Sequence, residues 1–294
     1  MPLGIAGPVT RGLIRTEFMS ATQAAEGNTV IAKICQRIKL SKEKDTVEGV
    51  GAPMALTAYA GSSKFQDLAK YTMAVNSLRY QGGFEYDRNT PNDALWPQVQ
   101  GKIRALGINA ANHAQKLLSD LIAAGTSGTG YDGVAFYATT HPTGATTQSN
   151  LLTGNGAAAQ DDITTDFWAG IGAIRGMKSD TGDVIERGNL RVLVQCPLAL
   201  EQYFQYLAKA AQISATTNIV AGMFDVWADP NLTDTVDWYM HVLNDPAAPF
   251  IYGVFAEPEV LIQEDGWKIK VDAGVHHGVQ YAAYQNSIKI NNTT

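Results

Sequence analysis

The chain has 294 residues, of which 45% are apolar and only 17% are charged, and its formal net charge is −6. This length exceeds the usual size of a single hydrophobic core, so we expect one elaborated domain or two closely connected ones. The acidic balance and the lack of a basic run argue against strong electrostatic binding of nucleic acid. No stretch of about 18 apolar residues exists and the first residues lack a signal-peptide pattern, so we expect neither a membrane span nor secretion.

A charged fraction of 17% is low for a soluble domain, in which roughly 25% is usual. The low fraction indicates that neighbouring molecules cover much of the surface, as they do in an assembly. Cys35 and Cys196 are far apart in the sequence and lack Cys-x-x-Cys spacing. We therefore expect two reduced and mostly buried thiols in a cytosolic product.

Residues 1–45 are predicted to form an arm, which starts with glycine and proline, continues in an amphipathic piece and ends in a lysine-rich stretch. We expect it to bury little by itself and to need a partner surface to become ordered. Residues 46–91 alternate short runs of period two with glycine breaks such as Gly82-Gly83. They are predicted to form an extended hairpin whose tip at 61–64 faces solvent or a partner.

The strongest helix signal lies in residues 92–125, where apolar residues recur at three- and four-residue spacing. Asn92 or Asp93 is available as a cap, and Pro97 falls in the first turn, where it costs no intrahelical hydrogen bond. Ending at Gly125, the helix would be about 45 Å long at 1.5 Å per residue. A helix of that length is predicted to be the spine of the fold.

Residues 126–260 are predicted to contain a compact α/β unit, because helix, strand and helix follow one another. The second helix, capped by Asp161 or Asp162, is marked by Ile163, Phe167, Ile171 and Ile174. A continuous apolar run at 190–194 predicts a buried strand, and Pro197 opens a third helix. The remainder is β-rich and includes an alternating run with Trp267, Ile269 and Val271 facing one side.

No motif carries catalytic or metal-binding chemistry. Residues 128–133 match G-x-G-x-x-G but follow a helix, whereas a dinucleotide site follows a strand, so we interpret them as a helix stop and a turn. His141-Pro142 is predicted to form a turn in which the ring hydrogen-bonds a backbone carbonyl. Adjacent His276 and His277 would point to opposite faces of a strand. We expect no catalytic residue, no cofactor and no metal ligand.

Residues 131–142 read Tyr-Asp-Gly-x-x-aromatic-aromatic-x-x-x-His-Pro, and this pattern resembles a segment of the Mu-type phage major head proteins. The resemblance starts near Tyr71, includes Trp96-Pro97 and continues more weakly to the end of the chain. Tyr137 departs from it, since the second aromatic residue is commonly Phe, and the loop after the motif is short. The structural motif that it identifies consists of Tyr131, Asp132, Gly133, Phe136, Tyr137, His141 and Pro142.

The resemblance implies an α+β fold of the Hong Kong 97 type, which tailed-phage shells, encapsulins and herpesvirus shell proteins share. Residues 1–45 would be the N-terminal arm and 46–91 the extended loop that reaches over a neighbour. Residues 92–125 would be the spine helix of the peripheral domain and 126–260 the axial domain. Residues 261–294 would be strands that return to the peripheral domain.

The resemblance further implies a major capsid protein of a tailed double-stranded DNA phage or prophage, and not an enzyme. Pentamers and hexamers of the chain would assemble in the host bacterial cytoplasm into the icosahedral shell of the virion. The expected partners are other copies of the chain, a separate scaffold protein, a portal and a possible decoration protein. DNA would be enclosed non-specifically, and no membrane is involved. Two alternatives stay open: the shell protein of an encapsulin-like nanocompartment and, more remotely, a soluble α/β hydrolase.

Overall fold

The computed structural model describes residues 8–27, 29–50, 70–90, 95–156, 159–210, 212–213, 216–243 and 245–292. Its helices are α1 (Pro8–Glu26), α2 (Ile31–Ile34), α3 (Trp96–Ala123), α4 (Gln160–Gly176) and α5 (Glu201–Lys209). Its strands are β1 (Cys35–Lys39), β2 (Lys44–Val50), β3 (Lys70–Asn76), β4 (Leu78–Asp87), β5 (His141–Thr143), β6 (Thr146–Gln148), β7 (Leu151–Thr153), β8 (Val192–Cys196), β9 (Gln212–Ile213), β10 (Thr216–Thr217), β11 (Phe224–Ala228), β12 (Trp238–Val242), β13 (Phe250–Asp265), β14 (Lys268–Tyr281) and β15 (Ser287–Asn291).

Two larger sheets organise these strands. The first has the order β1-β13-β14-β4, with β1 parallel to β13 and the other neighbours antiparallel. The second has the order β11-β8-β12-β15-β7, with parallel pairs at both edges. Short two-stranded ladders join β2 to β3, β5 to β6 and β9 to β10.

Helix α3 confirms the predicted spine. It has 28 residues, about 42 Å at 1.5 Å per residue, and its buried residues recur every three or four positions. Its first half packs through Ile103 on the four-stranded sheet, and its second half packs through Leu118 beside the five-stranded sheet. The cap prediction is wrong: the cap is Leu95, which makes no side-chain cap hydrogen bond, and Pro97 lies in the first turn. Residues 91–94 are outside the described ranges.

The expectation that the arm buries little on its own chain is wrong for α1. Ile14 and Phe18 are fully buried against α3 and the four-stranded sheet. The two helices come close at Gly107, where a Cβ would lie 2.6 Å from the Phe18 carbonyl oxygen. The Thr22 hydroxyl donates to the carbonyl oxygens of both Phe18 and Gly107. A glycine on α3 therefore gives the arm its partner surface within the same chain.

The predicted hairpin is confirmed as the β2–β3 ladder, which pairs Lys44 with Asn76 and Val50 with Lys70. Its tip at 61–64 lies outside the described residues. Within the predicted range 46–91, β4 leaves the hairpin and pairs along its whole length with β14. Gly82-Gly83 lies inside β4 and does not break it, since a glycine in a strand permits close backbone approach.

The α/β unit is confirmed around the five-stranded sheet, where Phe167 of α4, Phe204 of α5 and Trp238 of β12 share one buried core. Asp161 and Asp162 lie in the first turn of α4 and do not cap it; the cap is Ala159. In that turn, their negative charges stabilise the helix by interacting with the positive end of its dipole.

The C-terminal residues 261–294, expected to be strands that return to the peripheral domain, divide between the two sheets. Strand β14 lies in the four-stranded sheet, whereas β15 pairs with β12 and β7 in the five-stranded sheet. The expected boundary at 260 falls inside β13, which runs unbroken from one core into the other. Trp267 is in the β13–β14 turn and 72% exposed, whereas Ile269 and Val271 are buried as predicted. These pairings are non-local, and residue alternation does not define them.

Gly82 and Gly83 offer a matched test of the β4–β14 contact. A Cβ at Gly83 would lie 2.3 Å from the Val271 carbonyl oxygen, whereas a Cβ at Gly82 would meet nothing within 4 Å. We expect Gly83→Ala to lower the free energy of unfolding by about 2 kcal/mol, because backbone must move. Gly82→Ala should change it by less than about 0.5 kcal/mol. Urea unfolding of both variants checks this, and equal effects would contradict the described β4–β14 register.

Candidate functional site: the buried polar networks around the Tyr-Asp-Gly motif

The motif begins as a hydrogen-bonded turn after α3. Gly133 has a φ of +80°, a left-handed conformation that favours glycine, and the Asp132 carboxylate accepts the Val134 N–H at 3.2 Å. The Phe136 N–H donates to the Gly128 carbonyl at 2.8 Å. The interpretation of the G-x-G-x-x-G match as a helix stop and a turn is confirmed, since no helix follows it.

The Asp132 and His141 side chains form a buried ion pair, with 2.6 Å between Oδ2 and Nδ1 and with exposed fractions of 6% and 0%. On the other side of the ring, Nε2 lies 3.0 Å from Oδ1 of Asn150. That oxygen also accepts the Ala138 N–H, and the amide nitrogen of Asn150 donates to the Phe136 carbonyl at 2.7 Å. The amide orientation is therefore fixed, and His141 donates to Asn150.

The prediction that His141 bonds a backbone carbonyl is wrong, because its two partners are side chains. The ring also stacks on Tyr284, with 3.7 Å between ring centroids and 9° between planes. His141 and Pro142 start the β5–β6 ladder, which turns at Gly144 with a φ of +55°. The turn predicted at His141-Pro142 is thus two residues further along.

The two adjacent aromatic residues of the motif lead into different parts of the core. Phe136 stacks on Tyr281 at 4.6 Å between centroids and contacts Phe250, so it packs against the four-stranded sheet. The hydroxyl of Tyr137 lies 2.8 Å from the Ser287 hydroxyl on β15 of the five-stranded sheet. Burial raises the pKa of Tyr137 well above its ordinary value. The motif, which follows the end of the spine helix, therefore contacts the four-stranded sheet through Phe136 and the five-stranded sheet through Tyr137.

Tyr131 connects the motif to the hairpin. Its hydroxyl donates to Asp180 at 2.8 Å and accepts a hydrogen bond from Gln285 at 2.7 Å. The centroids of the Tyr131 ring and the Tyr71 ring on β3 are 4.5 Å apart. Burial and then the Asp180 carboxylate raise the pKa of Tyr71 to about 12. The Tyr131 ring thus packs against strand β3 of the hairpin through Tyr71.

A second network continues from Ser287 to the spine helix. The Ser287 hydroxyl lies 2.9 Å from Nδ1 of His241, and Nε2 of His241 lies 3.1 Å from Oε1 of Gln195. Gln195 donates to Asp229 at 2.6 Å, and Ser119 of α3 donates to the same carboxylate at 2.5 Å. Burial lowers the pKa of His241 to about 3, so the ring is neutral at ordinary pH.

Sequence reasoning missed this second network. Its signal in the sequence is a polar residue inside an otherwise apolar buried strand: Gln195 interrupts the run of β8 and His241 interrupts that of β12. A buried polar group must find a partner, so such interruptions predict hydrogen bonds. They do not identify the partners, which come from four different elements.

A serine beside a histidine is the arrangement that a hydrolase uses, but here it is closed to solvent. Ser287, His241 and Asp229 are all 0% exposed, and Gln195 separates the imidazole from the carboxylate. Such an arrangement orients elements and does not reach a substrate. Among the described residues, no three or more His, Cys, Asp and Glu side chains come together as a metal site. None of the described helices is long and apolar enough to cross a membrane.

Residues 10–164 match the family model described as Mu-like prophage major head subunit gpT, which covers more than half of the chain. The chain belongs to the Mu-like prophage major head subunit family. The matched region contains α3 and the whole motif, and the resemblance carried by those residues is confirmed. None of the curated proteins compared with this head subunit matches it.

Solved capsids share the fold of the head subunit. The mature capsid of bacteriophage PhiM1 has a TM-score of 0.61 at 9% identity, with 91% of this chain and 88% of that chain covered. The procapsid of bacteriophage JBD30 has a TM-score of 0.54 at 15% identity, with 98% of this chain and 76% of that chain covered. The virus-like particle from Pyrococcus furiosus has a TM-score of 0.57 at 8% identity, with 95% of this chain and 98% of that chain covered. The chain spans 64% of another chain that it matches, that of the bacteriophage JBD30 capsid.

These likenesses confirm an α+β fold of the Hong Kong 97 capsid type. Together with the family, they make the chain a phage major capsid protein, a component of the virion. The motif residues predicted from the sequence are all placed, and they lie together where the spine helix meets both sheets. Their side chains connect these elements through buried hydrogen bonds and ring contacts.

The Asp132–His141 pair is tested by Asp132→Asn, which removes the carboxylate that faces Nδ1 of the buried ring. We expect the free energy of unfolding to fall by about 3 kcal/mol, as when one partner of a buried ion pair is removed. Asp120→Asn is the matched control, because Asp120 pairs with Lys116 at 2.9 Å on an exposed face of α3. It should cost less than about 0.5 kcal/mol. Similar losses in both variants, measured by urea unfolding, would contradict the assigned role.

Proposed function

We propose that this head subunit self-assembles, through pentamers and hexamers, into the icosahedral shell that encloses the phage genome in the host bacterial cytoplasm. The family match is the observation that carries the proposal. The capsid fold supports it, because proteins of that fold in the solved structures are parts of capsids and of a virus-like particle. We further propose that the chain is not an enzyme, which agrees with the closed networks around the motif.

In this proposal the four-stranded sheet with α1 and α3 is the peripheral domain, and the five-stranded sheet with α4 and α5 is the axial domain. The β2–β3 ladder is the start of the extended loop that reaches over a neighbouring subunit. The described part of β2 supports this, since none of its side chains at 44–48 is buried on the chain itself. A strand that buries so little gains stability from contacts with other subunits.

Large apolar side chains on the surface support subunit contacts elsewhere. Trp267 at the β13–β14 turn and Ile219 are each 72% exposed, and Leu198 is 58% exposed. Tryptophan is enriched among the residues that dominate binding energy in interfaces. Contacts that join different surfaces of identical subunits close into rings and shells when the geometry allows. We place these residues at contacts between copies of the chain.

Electron microscopy of the purified head subunit tests the proposal. Expressed alone and together with a candidate scaffold and portal from the same genome, the protein should form round shells, rings or sheets. A monomer under every condition, including with the scaffold present, would contradict self-assembly. Uniform shells from the chain alone would show that no separate scaffold is needed.

The contents of the shell separate the two shell hypotheses. Particles made during phage growth should protect DNA of genome length from nuclease, whereas a nanocompartment would contain a protein cargo and no such DNA. Mass spectrometry of the same particles would show whether a portal or a decoration protein accompanies the head subunit.

The extended loop is tested by replacing residues 51–69 with a two-residue Asn-Gly turn, which suits a hairpin. We expect the monomer to keep its thermal unfolding temperature within about 3 °C, because both cores have many buried side chains among the described residues of other segments. Shells should not form, because the contact with the neighbouring subunit is removed. A control of equal length, in which 51–69 becomes a Gly-Ser sequence, separates loss of the contact from loss of length. Normal shells from both variants would contradict the assigned role.

A further inference from the structure

The spine helix meets the four-stranded sheet through a pair of histidines that the motif does not involve. Nδ1 of His113 on α3 lies 3.0 Å from Nε2 of His277 on β14, and the rings stack at 5.3 Å with 20° between planes. His277 is 2% exposed. The Tyr252 hydroxyl lies 3.1 Å from the other nitrogen of His277, and the Tyr80 ring packs against His113 with 4.1 Å between centroids and 49° between planes.

The geometry of the pair fixes how many protons it can hold. Between the two facing nitrogens there is room for one hydrogen, which either ring can donate. If both rings were protonated, two N–H groups would face each other across 3.0 Å and two positive charges would be adjacent. The contact therefore requires that at least one of the two rings be neutral.

The surroundings do not offset added charge. Within the described part of the chain, no carboxylate hydrogen-bonds either ring, in contrast to His141 with Asp132. The charged and titratable groups around the pair are Lys116 and Asp120 on α3, His276 on β14, Arg79 and Tyr80 on β4, Tyr252 on β13 and, next to Tyr252, Glu26, Arg37, Cys35 and Glu257.

Burial dominates the titration of both rings. It lowers the pKa of His277 to about 4, and the neighbouring His113 and His276 lower it in the same direction. Burial and then Lys116 lower the pKa of His113, against a smaller opposite effect of Asp120. Both rings are thus neutral at pH 7 and resist protonation as long as the helix stays on the sheet.

We propose that the His113–His277 pair is an acid-sensitive latch that holds the spine helix on the four-stranded sheet when neutral and loosens it when protonated. The latch lies between the two halves of α3, with Ile103 in one core and Leu118 in the other. Its opening would weaken the junction of helix and sheet while leaving both cores in place. The proposal concerns the single chain and does not depend on shell assembly.

The direction of the effect follows from linkage. An unfolded histidine titrates near pH 6.5, whereas folded His277 titrates near pH 4. Between these values the unfolded chain binds more protons, so stability falls as the pH is lowered from 6.5 and the loss is complete below 4. His241, whose pKa is lowered to about 3, also makes the folded protein less stable as the pH is lowered. The contribution of the latch must therefore be measured as a difference between variants.

Thermal unfolding of the full-length, unassembled head subunit at pH 7.5 and 4.5, with EDTA present, tests the latch. We expect the unfolding temperature of the unmodified protein to fall by about 5 °C more than that of His277→Gln, because glutamine keeps hydrogen bonding without titrating. His276→Gln is the matched control: it is the adjacent residue of the same strand, lies on the opposite face and is not in the pair. Because His276 affects His277 only through its charge, the fall of this control should lie closer to that of the unmodified protein than to that of His277→Gln.

Proton NMR of the unmodified protein gives an independent measurement, which decides the matter if His277→Gln does not fold. The C2–H signal of His277 should not titrate between pH 7.5 and 5.5, and amide exchange in the middle of α3 should accelerate as the pH approaches 4.5, after correction for intrinsic rates. A His277 signal that titrates near pH 6.5 in the folded protein would overturn the proposal. Equal falls in unfolding temperature for the unmodified protein and a folded His277→Gln would overturn it as well.

Discussion

The buried pairing of Asp132 with His141, oriented by Asn150, is the interaction on which the arrangement of the head subunit depends. A carboxylate and an imidazole at 2.6 Å without solvent are stable only when their remaining hydrogen-bonding positions are filled. Here the positions are filled by the motif's own turn and by Asn150, whose amide also reaches the Ser287 carbonyl of β15. One set of polar contacts thus fixes the turn after the spine helix, the β5–β6 ladder and the five-stranded sheet.

The two polar networks and the aromatic contacts connect the motif to different parts of the fold. Asp132, His141 and Asn150 hold the motif together, while Tyr137 passes the connection through Ser287 and His241 towards Asp229 and the spine helix. Phe136 connects the same turn to the other sheet by packing alone. The motif therefore contacts one sheet through hydrogen bonds, which demand defined geometry, and the other through apolar packing, which tolerates small shifts.

The sequence predicted the parts of the fold that local periodicity controls. The spacing of apolar residues identified α3 and the buried face of α4, and the apolar run before Pro197 identified β8. Periodicity cannot show which distant strands pair, so the position of β15 and the departure of β4 from the hairpin were missed. Caps were also misassigned, because Pro97 and the charges of Asp161 and Asp162 stabilise helix starts without a side-chain cap. For the site, the residue pattern placed the motif, but the partners of His141 come from tertiary contacts.

The position of β15 has a consequence for synthesis of the protein. This strand lies between β12 and β7, and among the described residues β7 pairs with no other strand. Its Ser287 is also where the motif and the His241 network meet. As the ribosome extends the chain, α3 and the motif emerge more than a hundred residues before their last partner does. A nascent chain that lacks β15 therefore cannot complete these buried contacts. Truncation before β15 should therefore remove the partner of the motif and of the His241 network at the same time.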